Sequence, residues 1–590
     1  MVRNRKLRSQ QWFDNTDDPG MTALYLERYL NFGLTREELQ SGRPIIGIAQ
    51  TGSDLAPCNR HHMVLAARLR DGIREGGGIP IEFPVHPIQE TGRRPTAALD
   101  RNLQCLSLIE ILHGYPLDGV VLTTGCDKTT PALIMAAASV DIPAIAFSVG
   151  PMLNGKYKGQ CVGSGSVIWQ ARQKYAKGEI DYNDFMDMAA GSAPSSGHCN
   201  TMGTALTMNS LAEALGMTLP GNASIPAPYR ERDQNAYYTG KRIAQMVEED
   251  LKPSQILTRP AFDNAIRVCT ALGGSTNAPI HINAIAAHAG IDLGIEAWQN
   301  IGRNVPQIVN CQPVGKYLSE DFHNAGGVPA VINQLMKAGL INTDALTVTG
   351  KSIGENNKRA ETIGTNVIKP VDNPVKENAG LLVLSGNIFS SAIMKASAID
   401  AEFRERYLCN PDDKNVFEAR AIVFEGPEDY HKRIDDPDLN IDVNCILVIR
   451  GVGPVGYPGS AEVVNMMPPK ALLEQGVKDL PTLGDGRQSG TSGAPSILNV
   501  SPEAAVGGNL ALLKTGDIIR VDLNTCRVDV LVDDKELQRR RKGLVFDIPE
   551  NQTWWQEIYR KNVSGLDSGA VFEDMLTYKN IAAKPPRHSH

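Results

Sequence analysis

Three cysteines lie in polar loops beside predicted strands or helices, where their thiols can reach a ligand. Cys58 is in "SDLAPCNRHH", Cys126 follows the run "GVVLTT" in "TTGCDKTTPA", and Cys199 is in the Ser- and Gly-rich "SSGHCNTMGTA". Thiolates are the soft ligands of iron–sulfur clusters, and three of them leave one iron open to a substrate. A lone cysteine is more often a packing residue, so the spacing by itself leaves both interpretations open.

Carboxylates stand close to these thiols in the sequence. Asp127 is adjacent to Cys126, and Glu90 ends the loop "VHPIQE" after another apolar run. Their oxygens are hard ligands of the kind Mg²⁺ prefers, together with water and substrate oxygens. The alternatives are solvated loop carboxylates and, for Lys128, a simple ion pair with its neighbour.

The stretch "GVGPVG", residues 451–456, has the spacing of a dinucleotide-binding loop and follows the apolar run "CILVIR". Pro454 and Pro458 disfavour the helix that such a loop requires, and no βαβ unit with a following acidic residue is visible. We therefore predict no nucleotide here. The loop instead leads to Glu462, which it would bring close to a ligand.

A second glycine-rich stretch, "LGDGRQSGTSG" at residues 483–493, surrounds Ser489. Dense glycine indicates backbone packed close to a substrate, although a flexible surface loop is an equal alternative. No G-x-S-x-G elbow surrounds the serine, so the sequence does not predict a hydrolase triad.

The elements that would position these residues fall into two halves. From about residue 45, short β-branched runs alternate with helical ones, which predicts an α/β domain with a parallel sheet over residues 1–375. Periodicity is lost around residues 360–379, where Pro370 and Pro374 occur. Beyond, strands such as "DIIRVDL" and "CRVDVLV" follow each other without long helices, which predicts a β-rich, barrel-like domain over residues 376–590.

Composition limits the partners. The chain has 590 residues and a formal net charge of −7, which disfavours nucleic acid as a partner. It shows no apolar run typical of a signal peptide or membrane span, so we expect a cytoplasmic protein that is not bound to membranes. The ten cysteines are scattered without a C-x-x-C pair, which indicates reduced thiols.

Five motifs in order, "APCN", "TTGCDKTTPA", "GHCNTMGTA", "GGSTNA" and "LGDGRQSG", closely resemble those of the IlvD/Edd dehydratase family. The resemblance implies an N-terminal α/β domain that carries an iron–sulfur cluster and a C-terminal β-barrel that closes over it. Cys58, Cys126 and Cys199 match the family's cluster ligands, and the remaining cysteines are then packing residues. The residues that match the Mg²⁺ site are Glu90, Asp127 and Glu462, with Lys128 as a lysine that can be carboxylated to bind the metal.

Ser489 matches the residue proposed as the family's base, which would act as an alkoxide. The stretches "CNTMGTALTM" and "RRPTAALDRNL" resemble the sugar-acid branch, which implies a [2Fe-2S] cluster, with [4Fe-4S] as the alternative. The implied substrate is an aldonic acid, D-xylonate first, with L-arabinonate or D-gluconate as alternatives. A dihydroxy-acid dehydratase of branched-chain amino-acid synthesis is the runner-up, and an electron-transfer iron–sulfur protein is the competing class.

The family forms dimers and dimers of dimers, so the resemblance implies a homotetramer. The end "PPRHSH", with His588 and His590, is similar to tails that reach towards an active site, whereas frayed termini usually lie in solvent.

Overall fold

A computed structural model describes residues 7–411 and 413–587. His588 and His590 lie outside the described residues. The first half of the chain contains helices α1 to α17 in this order: Gln10–Phe13, Pro19–Leu30, Arg36–Leu39, His62–Glu75, Ala98–Gly114, Thr129–Val140, Ser166–Ala176, Tyr182–Gly191, Thr204–Ala214, Arg230–Glu249, Pro253–Ile256, Arg259–Leu272, Ala278–Ala289, Glu296–Gly302, Ser319–Asn324, Gly327–Lys337 and Ile353–Asn357.

A four-stranded parallel sheet lies at the centre of this half. Its strands are β1 (Ile45–Gln50), β2 (Ile79–Pro84), β3 (Gly119–Thr124) and β4 (Ala144–Ser148), in the spatial order β2-β1-β3-β4. β1, β3 and β4 are buried along their whole length because helices cover the sheet, as expected for near-continuous apolar strands. A small antiparallel hairpin, β5 (Gly155–Tyr157) with β6 (Gln160–Val162), stands apart from it.

The second half forms a closed eight-stranded barrel, in the spatial order β10-β11-β12-β8-β7-β14-β13-β9. Its strands β7 to β14 are Leu381–Gly386, Phe389–Lys395, Val416–Glu425, Cys445–Arg450, Thr482–Gly484, Ser496–Ser501, Ile518–Asp522 and Arg527–Val530. Helices α18 to α22 are Ala401–Tyr407, Gly426–Arg433, Lys470–Glu474, Asp534–Lys542 and Trp554–Asn562. The predicted fold class, a parallel-sheet α/β domain followed by a barrel, is confirmed.

Strand β10 shows how one side of the barrel faces the first half. Ile446 and Val448 belong to the core inside the barrel, whereas Leu447 and Ile449 belong to the core that includes the parallel sheet. This period of two is the normal alternation of side chains along a strand. The two halves therefore share an apolar contact along this side of the barrel.

Within the part of the chain that the structure describes, no helix is both long and apolar enough to cross a lipid bilayer.

Candidate active site

The three predicted cluster cysteines come together between the carboxyl ends of the sheet strands and the start of α9. Cys58 lies in a short 3-10 turn (Pro57–Asn59) after β1, Cys126 lies between β3 and α6, and Cys199 precedes α9. The Cys58 thiol is within hydrogen-bonding range of the other two. Its hydrogen bond with Cys199 lowers the pKa of the Cys199 thiol to about 7, while both partners raise the pKa of Cys58.

Asn59 fixes the turn that carries Cys126. Its Oδ1 accepts a hydrogen bond from the Cys126 N–H at 2.6 Å, and its Nδ2 donates to Thr51 and Thr129 at 3.0 and 3.2 Å. A Cβ on Gly125 would lie 2.5 Å from the same Oδ1, so only glycine fits there. The backbone before Cys126 is thus tied to the loop that carries Cys58.

Three of the predicted metal residues also come together. Within residues 7–411 and 413–587, the one group of three or more potential metal ligands within 4.8 Å of each other is Glu90, Asp127 and Glu462. Lys128 lies among them, with Nζ at 2.8 Å from Glu90 Oε2, 2.9 Å from Asp127 Oδ2 and 4.0 Å from Glu462 Oε1. The thiols adjoin this group, because Cys126 Sγ is 3.3 Å from Asp127 Oδ1.

The electrostatics of this group suit a divalent cation. Burial raises the pKa of Glu462 to about 7, and the nearby Glu90 carboxylate adds to the effect. Burial acts in the same direction on Glu90, but the charges of Lys128 and Arg487 outweigh it and hold its pKa at about 2. Three carboxylates with little exposure to solvent, beside the two cations Lys128 and Arg487, leave uncompensated negative charge, which is the chemistry that a hard metal ion neutralises.

Two further residues hold these carboxylates, and sequence reasoning missed both. Arg487 donates to Glu90 at 3.2 Å and to Glu462 at 2.8 Å. Asn277 donates from Nδ2 to Glu462 Oε1 at 2.9 Å. Arg487 lies in the motif "LGDGRQSG" and Asn277 in the motif "GGSTNA". Their place in these motifs is the sequence signal that could have identified them. Asn277 is also the N-cap residue of α13, and no side chain caps that helix.

Ser489 lies on the loop after β11, beside this group. Its neighbour Gln488 accepts a hydrogen bond on its carbonyl from Asn277 Nδ2 at 3.0 Å. Its own Oγ is 3.0 Å from the Thr491 hydroxyl and accepts from the Thr491 N–H at 3.4 Å. Trp169 Nε1 donates to Thr491 Oγ1 at 3.0 Å, which leaves the threonine proton free to point at Ser489.

The loop at residues 451–456 is occupied by the chain's own carboxylate. Glu503 accepts the N–H groups of Val455 and Gly456 at 2.8 and 2.9 Å. A Cβ on Gly453 would lie 2.4 Å from Glu503 Oε2, so the loop is closely packed around this side chain. In the described residues no helix follows this loop before Lys470, so the helix that a dinucleotide site requires is missing. The Glu503 side chain takes the place that a nucleotide phosphate would have.

The expectation that all other cysteines are packing residues is partly wrong. Cys161 and Cys409 are exposed, whereas the buried ones are Cys105, Cys269, Cys311, Cys445 and Cys526. Cys161 lies on the hairpin strand β6, whose residues are exposed or half-buried.

Comparison with known proteins decides the family. A model of the dihydroxy-acid/6-phosphogluconate dehydratase N-terminal region matches residues 43–356, and its C-terminal counterpart matches residues 366–570. This chain belongs to the IlvD/Edd dehydratase family. The predicted enzyme class, a hydro-lyase, is confirmed by that membership. The roles of the individual site residues stay predictions.

Three relatives show the range of the family around this chain. A D-xylonate dehydratase from Caulobacter vibrioides is 60% identical over 586 residues, covering 99% of this chain and 98% of the relative. An L-arabinonate dehydratase from Rhizobium leguminosarum bv. trifolii is 44% identical over 587 residues, 99% of each chain. A dihydroxy-acid dehydratase from Caldanaerobacter subterraneus subsp. tengcongensis is 38% identical over 551 residues, 92% of this chain and 96% of the relative.

Proposed function

We propose that this dehydratase acts on aldonic acids, with D-xylonate as its preferred substrate and the 2-keto-3-deoxy acid as its product. The observation that carries the proposal is the junction at Cys126 and Asp127, where a soft-ligand group adjoins a hard-ligand group. The choice of substrate is supported by the 60% identity to the Caulobacter D-xylonate dehydratase.

The residues present fit both groups. Three thiols suit an iron–sulfur cluster, with [2Fe-2S] proposed and [4Fe-4S] as the alternative, and three carboxylates suit Mg²⁺. Carboxylation of Lys128 would replace its ammonium by a further oxygen donor. When bound, the two groups would supply Lewis-acid stabilisation of the substrate carboxylate, the C2 oxygen and the departing C3 hydroxide.

Ser489 is proposed to take the proton from C2. A serine hydroxyl is an unreactive base unless its alkoxide form is stabilised. The Thr491 N–H donates to Ser489 Oγ at 3.4 Å, and the Thr491 hydroxyl lies 3.0 Å from the same atom, where it can donate to an alkoxide. Loss of the C2 proton and the C3 hydroxide, which leaves as water, gives an enol that tautomerises to the 2-keto acid.

A panel of acids tests the substrate. Anaerobically purified protein with Mg²⁺ is given D-xylonate, L-arabinonate, D-gluconate and 2,3-dihydroxyisovalerate, and the 2-keto acid formed per minute is measured. A site that hydrogen-bonds hydroxyls rejects analogues without them by about 10⁴ or more, so D-xylonate should be strongly preferred over dihydroxyisovalerate. Preference for dihydroxyisovalerate would contradict the sugar-acid proposal and favour the dihydroxy-acid dehydratase, to which this chain is also similar.

The competing electron-transfer role is tested in the same protein. A dehydratase loses turnover when Mg²⁺ is removed and recovers it on addition, whereas an electron carrier cycles between redox states without Mg²⁺. Mössbauer spectra of fresh anaerobic protein distinguish the two cluster types.

We further propose a cytoplasmic homotetramer with no nucleic-acid or membrane partner. Light scattering measures the mass, and the 63.9 kDa of a monomer would contradict the tetramer.

A further inference from the structure

The guanidinium of Arg487 lies between carboxylates from the two halves of the chain. Nη2 is 3.2 Å from Oε1 of Glu90 in the first half, and Nη1 is 2.8 Å from Oε1 of Glu462 in the second. The side chain is only 1% exposed. We propose that Arg487 is a positioning residue that holds these two proposed Mg²⁺ ligands in one arrangement, an inference that rests on the proposed function.

Every N–H of this guanidinium has an acceptor. Besides the two carboxylates, Nε donates to Ser460 O at 2.9 Å, Nη1 to Asn277 Oδ1 at 3.2 Å and Nη2 to Thr96 Oγ1 at 3.0 Å. The planar group has five donors in a fixed fork, and all five are used here. A lysine ammonium has three donors on one atom, so it cannot satisfy these five acceptors.

The main chain of Arg487 also binds the segment that carries Glu462. Glu462 and Arg487 form an isolated parallel β-bridge, in which the Arg487 N–H donates to Ala461 O at 2.8 Å and the Arg487 carbonyl oxygen accepts from the Val464 N–H at 3.1 Å. The preceding Gly486 permits this approach, because a Cβ there would lie 2.8 Å from Val452 Cγ2 and 2.9 Å from Ala461 O. Backbone and side chain thus fix Glu462 together.

On each carboxylate, the contacts of Arg487 fall on one oxygen only. Arg487 uses Oε1 of Glu90, while Oε2 is the oxygen that faces Lys128 at 2.8 Å, on the side of Asp127. On Glu462 both Arg487 and Asn277 bond to Oε1. Outer hydrogen bonds of this kind orient ligating carboxylates, and their loss weakens metal affinity by about 10 to 100-fold.

The test measures metal binding rather than turnover. Arg487→Lys protein that carries its cluster is titrated with Mn²⁺, an EPR-visible substitute for Mg²⁺. We expect affinity at least about tenfold below that of the unaltered protein, because the charge remains but the fork is lost. The visible absorbance of the cluster should be unchanged.

Arg232→Lys is the matched control. Arg232 is also fully buried, but it donates to the carbonyl oxygens of Ser148, Asn222 and Ile225 rather than to carboxylates. We expect this variant to unfold at a lower temperature and to keep its Mn²⁺ affinity. If the role of Arg487 were purely structural, Arg487→Lys would behave like Arg232→Lys, with a lower unfolding temperature and an unchanged Mn²⁺ affinity.

The outcomes separate the two proposals. Arg487→Lys affinity within about twofold of the unaltered protein, or an equal loss in Arg232→Lys, overturns the positioning role. If Arg487→Lys does not fold, Thr96→Val removes one acceptor of the fork and should weaken Mn²⁺ binding several-fold, and unchanged binding in that variant overturns the role. If the unaltered protein binds no Mn²⁺, the proposed hard-metal site is itself wrong.

Discussion

Gly490 follows the proposed base and packs against the start of α9, so adding one methyl group there tests how tightly Ser489 must be placed. A Cβ at residue 490 would lie 2.4 Å from Thr204 Oγ1 and 2.5 Å from Thr204 N. The second of these atoms belongs to the backbone and cannot rotate away. Gly490→Ala must therefore move the loop that carries Ser489.

The size of the movement sets the size of the effect. Ordinary contact with a Cβ begins at 3.4 Å, so relief of a 2.5 Å contact requires a shift of nearly 1 Å. A misplacement of about 1 Å costs on the order of 10²-fold in rate. Overpacking of this kind costs about 1–3 kcal/mol in stability, which a protein of this size should survive. We expect Gly490→Ala to fold, to keep its cluster and to lose about 10²-fold in kcat.

Gly493→Ala is the control in the same loop. Its Cβ would meet Pro313 O at 3.5 Å, an ordinary contact, so we expect nearly unchanged kcat. Both variants are assayed with D-xylonate and Mg²⁺, with thermal unfolding and visible absorbance recorded in parallel. Full activity of Gly490→Ala, or an equal loss in Gly493→Ala, would refute the argument that the position of Ser489 limits the reaction.

Thr491→Val should lower kcat by about 10²-fold with little change in KM, since it removes a hydroxyl that can donate to an alkoxide at Ser489 Oγ. An unaltered kcat would argue against an alkoxide at that atom. Serine in place of Cys58, Cys126 or Cys199 should abolish both the cluster absorbance and the activity, whereas Cys161→Ala, at an exposed cysteine, should change neither. If one of the three serine variants kept a full cluster, that cysteine would not be a ligand. Burial, with the Asp485 charge, raises the pKa of Glu503 from 4.5 to about 8, so the folded state keeps a proton that the unfolded chain releases. Stability should therefore fall as pH rises from about 4.5 to 8, by at most about 1.4 kcal/mol per pH unit. Glu503→Gln should flatten this slope in urea unfolding midpoints, and an equal slope in both proteins would contradict the assignment.

The sheet and barrel could be predicted because their strands carry local signals. Runs such as "IIGIAQ" and "GVVLTT" are apolar throughout and appear as fully buried parallel strands. The pair "DIIRVDL" and "CRVDVLV" alternates and appears as the antiparallel pair β13 and β14. In both cases the periodicity of a short segment is enough to show which faces it buries.

The supporting residues of the site carry no such signal. Arg487 contacts Glu90 and Thr96, which lie about 400 residues earlier in the chain, and nothing in its own neighbourhood specifies those partners. The sequence around Glu503 likewise does not specify its partners, which lie in the loop at residues 451–456. Taken alone, that loop has the spacing of a nucleotide-binding site. Long-range pairing of buried charges is decided by tertiary packing, so only the folded chain reveals it.

The division of the site between the halves also has a consequence for the order of synthesis. On the proposed assignment, all cluster thiols have left the ribosome once Cys199 and α9 emerge, whereas Glu462, Arg487 and Ser489 follow later. Between Cys199 and Glu462 lie about 260 residues, which take roughly 13 to 50 seconds to translate at 5–20 residues per second. During that interval the nascent sheet can present its thiols while no barrel covers them. Cluster delivery to a nascent chain would thus face an open pocket, whereas the magnesium ligands can be complete only after the barrel has closed.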